Sequence, residues 1–452
     1  MNTFNSRFTK QLSVFVLLAG LLALAACSSE EDGVTPDQNA APVIVFTVDA
    51  LAFPKDSDAT LKVDATDPDG DPVSVHWQVT RNGQPSGVLD PGQQGNPTIT
   101  WVTPSTAGRD TITITATDGK GGSTTRIETI RVGTLKSAAI QSANVTWNAS
   151  DSPFIIRPTG TQFVVDATGS LTVQAGSELL IDKKGLELDV LGTLRTKGTA
   201  QAPVFVRPNS RTPEPGWWVG LVATPDGPSP LVNLRYTDIL HATNAIFAVA
   251  SADVRLDGCR VMFSEYNAVL FESSQDLHVL NSAITNNGGS GIHIGGTGIA
   301  TLPDSVVIRG DSLAVNGDIS GSTVYTDQAA IYIDISDYSS NSVIQILENT
   351  ISRNGFPGIQ LARASYPEIR DNSIFSNELG KTGQRFNIWL DNEFGGASPQ
   401  DSTISAQLNY WGAPYTNTAT DSLVIKQMIR DSEDSERVNA RVLIYPWLHA
   451  AP

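Results

Sequence analysis

The feature that most constrains this chain is a repeat of 23 residues. Asn244-Ala245-Ile246-Phe247, Asn267-Ala268-Val269-Leu270 and Ser290-Gly291-Ile292-His293 begin at positions 244, 267 and 290. Matching segments, Ala330-Ile331-Tyr332, Gly358-Ile359-Gln360 and Asn387-Ile388-Trp389, follow at longer intervals that require inserted loops. A second frame, Ser264, Asn287, Asn354 and Asn377, keeps the interval of 23 at both ends, with Asn316 inside the longer middle step. A fixed period in the low twenties means stacked coils, each burying its apolar face against the next. The Leu-x-x-Leu-x-Leu spacing of leucine-rich repeats is absent, whereas short apolar strands between Asn and Gly suit a parallel β-helix. In such a stack each Ile or Val meets its equivalent one coil on. Each turn Asn can bond the next Asn and satisfy turn backbone. At 4.8 Å per coil, roughly ten coils make a rod near 50 Å long.

Composition agrees with an all-β chain and removes several function classes. The 452 residues include 38 Gly and 25 Pro, and only 17% are charged, which argues against long helices. Lys+Arg is 30 against Asp+Glu 47, a formal charge of -17, so the basic surface needed for nucleic acid is missing. A hydrophobic content of 40% excludes global disorder, and two Cys are too few for a disulfide framework.

The N-terminus carries an address. Arg7 and Lys10 precede an apolar run from Leu12 to Ala26, too short to span a bilayer as a helix and suited to a signal-peptide core. The run ends Leu24-Ala25-Ala26-Cys27, which resembles a bacterial lipoprotein signal. The resemblance implies cleavage before Cys27 and acylation of that residue, giving a stable multi-chain anchor. Ser28-Ser29-Glu30-Glu31-Asp32-Gly33 is similar to the acidic tethers that direct lipoproteins of some Gram-negative phyla to the outer face. The expected organisation is a signal peptide over 1–26 and a tether over 27–40. Removing residues 1–26 takes away two cations and no acids, leaving 28 against 47. The expected location is the outer membrane or cell surface, with the membrane as a partner through the lipid.

Residues 41–133 read as a small β-sandwich. Alternating runs at 43–46, 61–65, 73–79, 99–102, 111–116 and 126–132 are separated by turn signals. Asp67-Pro68-Asp69-Gly70-Asp71 leading to Trp77, with Asp118-Gly119-Lys120-Gly121-Gly122 later, resembles bacterial PKD-like and cadherin-like Ig modules. Asp67, Asp69 and Asp71 place carboxylates at every second residue, as a Ca²⁺ loop opens, although no Glu follows at the twelfth position. An Asp/Gly hairpin turn accounts for the same residues without metal. The domain reads as a spacer between anchor and β-helix.

A connector is expected over 134–159 and the β-helix over 160–452. Asn349-Thr350-Ile351-Ser352-Arg353-Asn354-Gly355-Phe356-Pro357-Gly358-Ile359 resembles a right-handed parallel β-helix repeat of pectate-lyase-like proteins. Gly216-Trp217-Trp218-Val219-Gly220-Leu221 is similar to an early element of lipoprotein β-helices. Asn409-Tyr410-Trp411-Gly412, Ile425 to Asp434 and Tyr445-Pro446-Trp447-Leu448 resemble their closing segment. This resemblance implies fold and not activity, because such domains serve lyases, hydrolases and non-enzymes alike. The motif residues of polygalacturonases, pectin methylesterases and calcium-dependent pectate lyases are not evident. The five His lack zinc-type spacing.

Register supplies the remaining candidates. With Ile246, Val269, Ile292, Ile331, Ile359 and Ile388 inward, the next residues form an outward column of Phe247, Leu270, His293, Tyr332, Gln360 and Trp389. Two residues further on lie Val249, Glu272, Gly295, Asp334, Ala362 and Asp391. Rings beside carboxylates can stack on sugar faces and accept hydroxyl hydrogen bonds. Phe247, His293, Tyr332 and Trp389 are therefore glycan-binding candidates, and Glu272, Asp334 and Asp391 catalytic ones. The same rings could instead be covered by inserted loops as ordinary packing. Arg353, Arg363, Arg370 and Arg385 could serve a uronate lyase or simply face solvent, and Cys259 reads as a buried small hydrophobe. The sequence thus points to a glycan-binding or adhesive surface protein. Its rivals are a polysaccharide lyase or glycoside hydrolase, and a stalk without ligand.

Overall fold

A computed structural model describes residues 39–452, apart from positions 142, 296–302, 318–327, 336–343, 363–365, 379–384, 392–401, 414–418, 435–437 and 439. The signal peptide and Cys27 lie outside the described residues. The fold is all-β, with one short α-helix, Ala419–Lys426, among the described elements.

All six strands expected in the sandwich form: Val43–Phe46, Asp58–Thr66, Ser74–Arg81, Thr98–Val102, Gly108–Thr117 and Ser123–Lys136. Alternation decides their faces. Asp58–Thr66 buries Ala59, Leu61 and Val63 and exposes the residues between them. Trp77 and Trp101 are fully buried in the core, and each indole N–H donates to a carbonyl, of Asn96 and Ser86 respectively, at 2.9 Å.

The β-helix runs through three strands per coil, which stack into three parallel sheets. One sheet has nine strands, from Asn144–Trp147 to Glu368–Arg370. Another has ten, from Gln162–Val165 to Ile429–Arg430. The third is the sheet that also carries the sandwich strands Ser74–Arg81, Gly108–Thr117 and Ser123–Lys136. A single apolar cluster fills the interior from Ile140 to Trp447. The coil began earlier than expected. Within the supposed connector, Asn144–Trp147 pairs with Ser170–Gln174, and Phe154–Ile156 pairs with Glu178–Ile181. This first coil is plugged by Trp147, Phe154 and Phe163, with ring centroids 4.8 and 5.9 Å from Trp147, so it lacks the aliphatic-and-glycine pattern of later coils.

The two domains share a strand. Residues 123–132 of Ser123–Lys136 pair antiparallel with Gly108–Thr117, and residues 134–136 pair parallel with Phe154–Ile156. The sheet therefore passes from sandwich to β-helix without interruption. Asn209 adds a side-chain clasp: its Oδ1 accepts from the Leu51 and Ala52 amides, and its Nδ2 donates to the Ala52 carbonyl.

Turn asparagines form the expected ladders. In the second frame Ser264, Asn287, Asn316, Asn354 and Asn377 each accept at the side chain or donate to the next, and Asn377 continues to Asn387. A further ladder runs Ser282, Asp311, Asn349, Asn372, Asn409. At the far end Trp411, Ile425, Ile429, Val442 and Trp447 are buried and close the apolar interior.

Candidate functional site

The outward column is present in the register inferred from the repeat. Phe247 is opposite Leu270, Leu270 opposite His293, His293 opposite Tyr332, Tyr332 opposite Gln360, and Gln360 opposite Trp389. All lie on the ten-stranded sheet. The column is not uniformly open, however. Phe247, Leu270, His293 and Trp389 are half-buried, whereas Tyr332 is 4% and Gln360 2% exposed. Tyr332 packs with Ala329 and Ala362 and meets His293 edge-on at 4.7 Å. It therefore does not offer an open ring face.

Polar groups converge at the C-terminal end of the column. Asp391 accepts from the Trp389 indole N–H at 2.8 Å and from Gln360 Nε2 at 3.0 and 3.2 Å. Phe386 stands edge-on to Trp389 at 4.9 Å, and the Arg430 guanidinium lies 4.4 Å from the Trp389 ring centroid. Trp389 and Asp391 both remain partly exposed. The result is an oriented indole beside a held carboxylate, able to stack on an apolar face and accept a hydroxyl.

Links from the ten-stranded to the nine-stranded sheet vary in length. They are short between Ala250 and Asp253, between Ser273 and Leu277 and between Ala362 and Glu368, and longer between Gly295 and Val306 and between Asp334 and Ile344.

The carboxylates do not make an evident hydrolytic pair. Asp334 stands opposite Gly295 on one side and Ala362 on the other, so Glu272, Asp334 and Asp391 are successively two strands apart. Burial pushes the Glu272 carboxyl up, the direction a general acid needs. Glu272 and Asp391 are nevertheless separated by four strand spacings, about 19 Å, too far to flank one glycosidic bond. Each two-strand step is about 10 Å, at the upper limit for inversion.

Asp67, Asp69 and Asp71 come together in the sandwich, with carboxylate oxygens all within 4.8 Å. Asp67 Oδ1 accepts from the Asp69 and Asp71 amides at 2.9 and 3.3 Å, the bonds of an Asp turn. Lys120 Nζ lies 2.6 Å from Asp71 Oδ1, and Asp71 holds its ammonium above the usual range. Asp67 Oδ2 and Asp71 Oδ2 are inaccessible and have no hydrogen-bond partner. Turn and calcium chemistry are therefore superimposed here: three hard oxygen donors fit a Ca²⁺ ion, with Lys120 competing for the same carboxylate.

The remaining candidates separate. Arg370 pairs with Glu368 and Asp371, Arg353 and Arg385 are exposed, and Arg363 lies outside the described residues. Cys259 is buried, its thiol donating to the Leu234 carbonyl at 3.4 Å, and burial pushes it up to about 12. It is inert as a nucleophile at neutral pH. Sequence reasoning missed Arg430, because its place over Trp389 depends on a two-residue strand 40 positions later. It also missed a cluster of arginines between the two domains, which no local pattern marks.

Comparison with known proteins supports the domain composition. The family model described as right handed beta helix region matches residues 233–405, and that described as bacterial Ig domain matches residues 39–132. No curated protein matches. One similar solved structure is a nucleoside hydrolase-related hypothetical protein from Saccharophagus degradans that is associated with carbohydrate metabolism. It is 21% identical, with 21% of this chain and 25% of that chain covered and a TM-score of 0.18. This chain thus spans a quarter of that protein's length. Another is the A-module of the mannuronan C-5 epimerase AlgE6 from Azotobacter vinelandii, 12% identical, with 54% of this chain and 79% of that chain covered and a TM-score of 0.29.

Proposed function

We propose that this chain is a lipid-anchored surface protein whose β-helix binds a glycan on the outer face of its ten-stranded sheet, around Trp389. The observation that carries the proposal is the grouping of a partly exposed indole, Trp389, with the carboxylate of Asp391 and the amide of Gln360. Sugars present apolar faces and hydroxyl edges together, and this grouping offers a counterpart to both. Acylation of Cys27 holds the chain to the membrane, and the sandwich sets the β-helix at a distance from it.

The test uses the full chain in nonionic detergent with a panel of neutral and acidic polysaccharides. Retained binding, new reducing ends and unsaturated-uronate absorbance are measured together. Binding without products is expected, and Trp389→Ala should weaken it about tenfold or more, as for an aromatic anchor. Products would establish the lyase or hydrolase alternative. Binding that Trp389→Ala leaves unchanged would remove the proposed face. The anchor is tested separately: Cys27→Ser should abolish incorporation of labelled fatty acid and release the protein from membranes.

A further inference from the structure

Where the sandwich meets the β-helix there is a cavity of about 320 Å³. Its apolar wall includes Leu51 from the sandwich side and Pro208 and Leu240 from the β-helix. Its polar wall holds Arg207, Arg211 and His241. In a chain of net charge -17 this concentration of cations needs a cause.

Structural ion pairing accounts for part of it. Glu178, 6% exposed, sits between Arg131 and Arg207, and Glu128 sits between Arg126 and Arg211. Two carboxylates thus face four guanidiniums. Asp49 is taken up by the Arg211 backbone amide and the Thr212 hydroxyl. Arg207 uses its Nε on Glu178, while its two terminal nitrogens have no acceptor among the described residues. Arg131 reports the same excess: burial, then the neighbouring charges of Arg207, Arg109 and Arg211, push it down to about 10. His241 stacks on Phe263 at 5.2 Å, and its Nδ1 is inaccessible and without a hydrogen-bond partner. Burial and the Arg207 charge lower its basicity, so at neutral pH it is an uncharged imidazole with one N–H to donate. The cavity therefore combines the two unused terminal nitrogens of Arg207, an uncharged imidazole and an apolar wall, while Arg211 at the same wall spends its Nη1 on Glu128 and its Nη2 on the Thr129 carbonyl.

We propose that this cavity binds a carboxylate-bearing ligand of the size and class of a single uronate residue, with the terminal nitrogens of Arg207 holding the carboxylate, Arg211 adding positive charge beside it and His241 donating to a neighbouring oxygen. Guanidinium forks match a carboxylate, and the apolar wall suits the body of a small organic anion better than a fully hydrated inorganic one. The site is separate from the face around Trp389 and stands or falls independently of it.

Isothermal titration calorimetry of the full chain in nonionic detergent, at low ionic strength, tests this with galacturonate, galactose and acetate. Heat is expected with galacturonate and none with galactose. Arg207→Gln and His241→Asn should each weaken galacturonate binding about tenfold or more, the effect of removing one charge-assisted or buried hydrogen bond. Asn tolerates the positive φ of 61° at position 241, and thermal melting checks that each variant folds. Trp389→Ala should leave this binding unchanged. Acetate binding as tightly as galacturonate would identify a free small carboxylate as the ligand, whereas tighter binding of galacturonate oligomers would identify a chain residue. Equal responses to galacturonate and galactose, no response to any carboxylate, or folded variants with undiminished binding would each overturn the proposal.

Discussion

Asp311 departs from the ladder it stands in. Asn349, Asn372 and Asn409 each accept a backbone amide at Oδ1 and donate from Nδ2 to a strand carbonyl, those of Ile308, Ile346 and Ile369, at 2.8–2.9 Å. Asp311 accepts the Ser282 amide at 2.6 Å, but its Oδ2 is buried without a partner. In register, Val279 is opposite Ile308, so an amide at position 311 would reach the Val279 carbonyl. Burial raises the Asp311 carboxyl well above the usual range, so the folded state keeps a proton that the unfolded chain has lost. Wild-type stability therefore falls as pH rises above the unfolded value, and goes on falling until the folded value is passed. Asp311→Asn should be more stable at pH 8 by about 1–3 kcal/mol, the cost of an unsatisfied buried group, with the gain vanishing near pH 3. Urea midpoints at the two pH values measure this, and a less stable Asn variant at pH 8 would refute it. Asn287, Asn354 and Asn377 were legible as a ladder because two steps of 23 residues, Ser264 to Asn287 and Asn354 to Asn377, bracket the longer one. Asp311 was not, because its own steps are 29 and 38 residues and its residue type departs from the asparagines that follow.

At the scale of elements, Ser123–Lys136 decides how the two domains are joined. Gly133 lies where it changes partners, and a Cβ there would come 2.2 Å from the Pro153 carbonyl oxygen. The close approach permits the Thr134 amide to reach that same carbonyl at 2.8 Å. Gly133→Val should break this crossing by more than about 2 kcal/mol, since backbone has to move. The expected calorimetric signature is separation of sandwich and β-helix unfolding into two transitions, and a single unshifted transition would contradict it. The strand's alternation was readable, but its second role was not. A run of residues shows that a strand exists and leaves open which sheet claims each end. The register of the outward column was readable because alternation fixes the face, and the recurring Ile or Val before each member marks its neighbour even where the interval exceeds 23. Covered rings were an alternative that spacing left open, and which ring is covered, Tyr332, depends on packing between coils rather than on spacing within one.

For the whole molecule the apolar interior is continuous and must be closed at both ends. The aromatic first coil and the shared sheet close one end, and Trp411, Ile425, Val442 and Trp447 the other. Solenoids depend on such caps for solubility. Deleting residues 409–452 removes the last rung of the Asn372–Asn409 ladder as well as the plug. The truncated chain should aggregate at concentrations where the full chain is monodisperse by light scattering. Monodisperse truncated protein would show the plug to be dispensable.

The shared strand also has a mechanical consequence. Tension between sandwich and β-helix passes through Ser123–Lys136, which is hydrogen-bonded to Gly108–Thr117 before the crossing and to Phe154–Ile156 after it. Coils stack along the bonding direction, so a pull on the far end of the rod runs parallel to these bonds and is handed from strand to strand across one unbroken sheet. The crossing is itself a strand and not a tether, and such a force reaches the sandwich with little lost to slack.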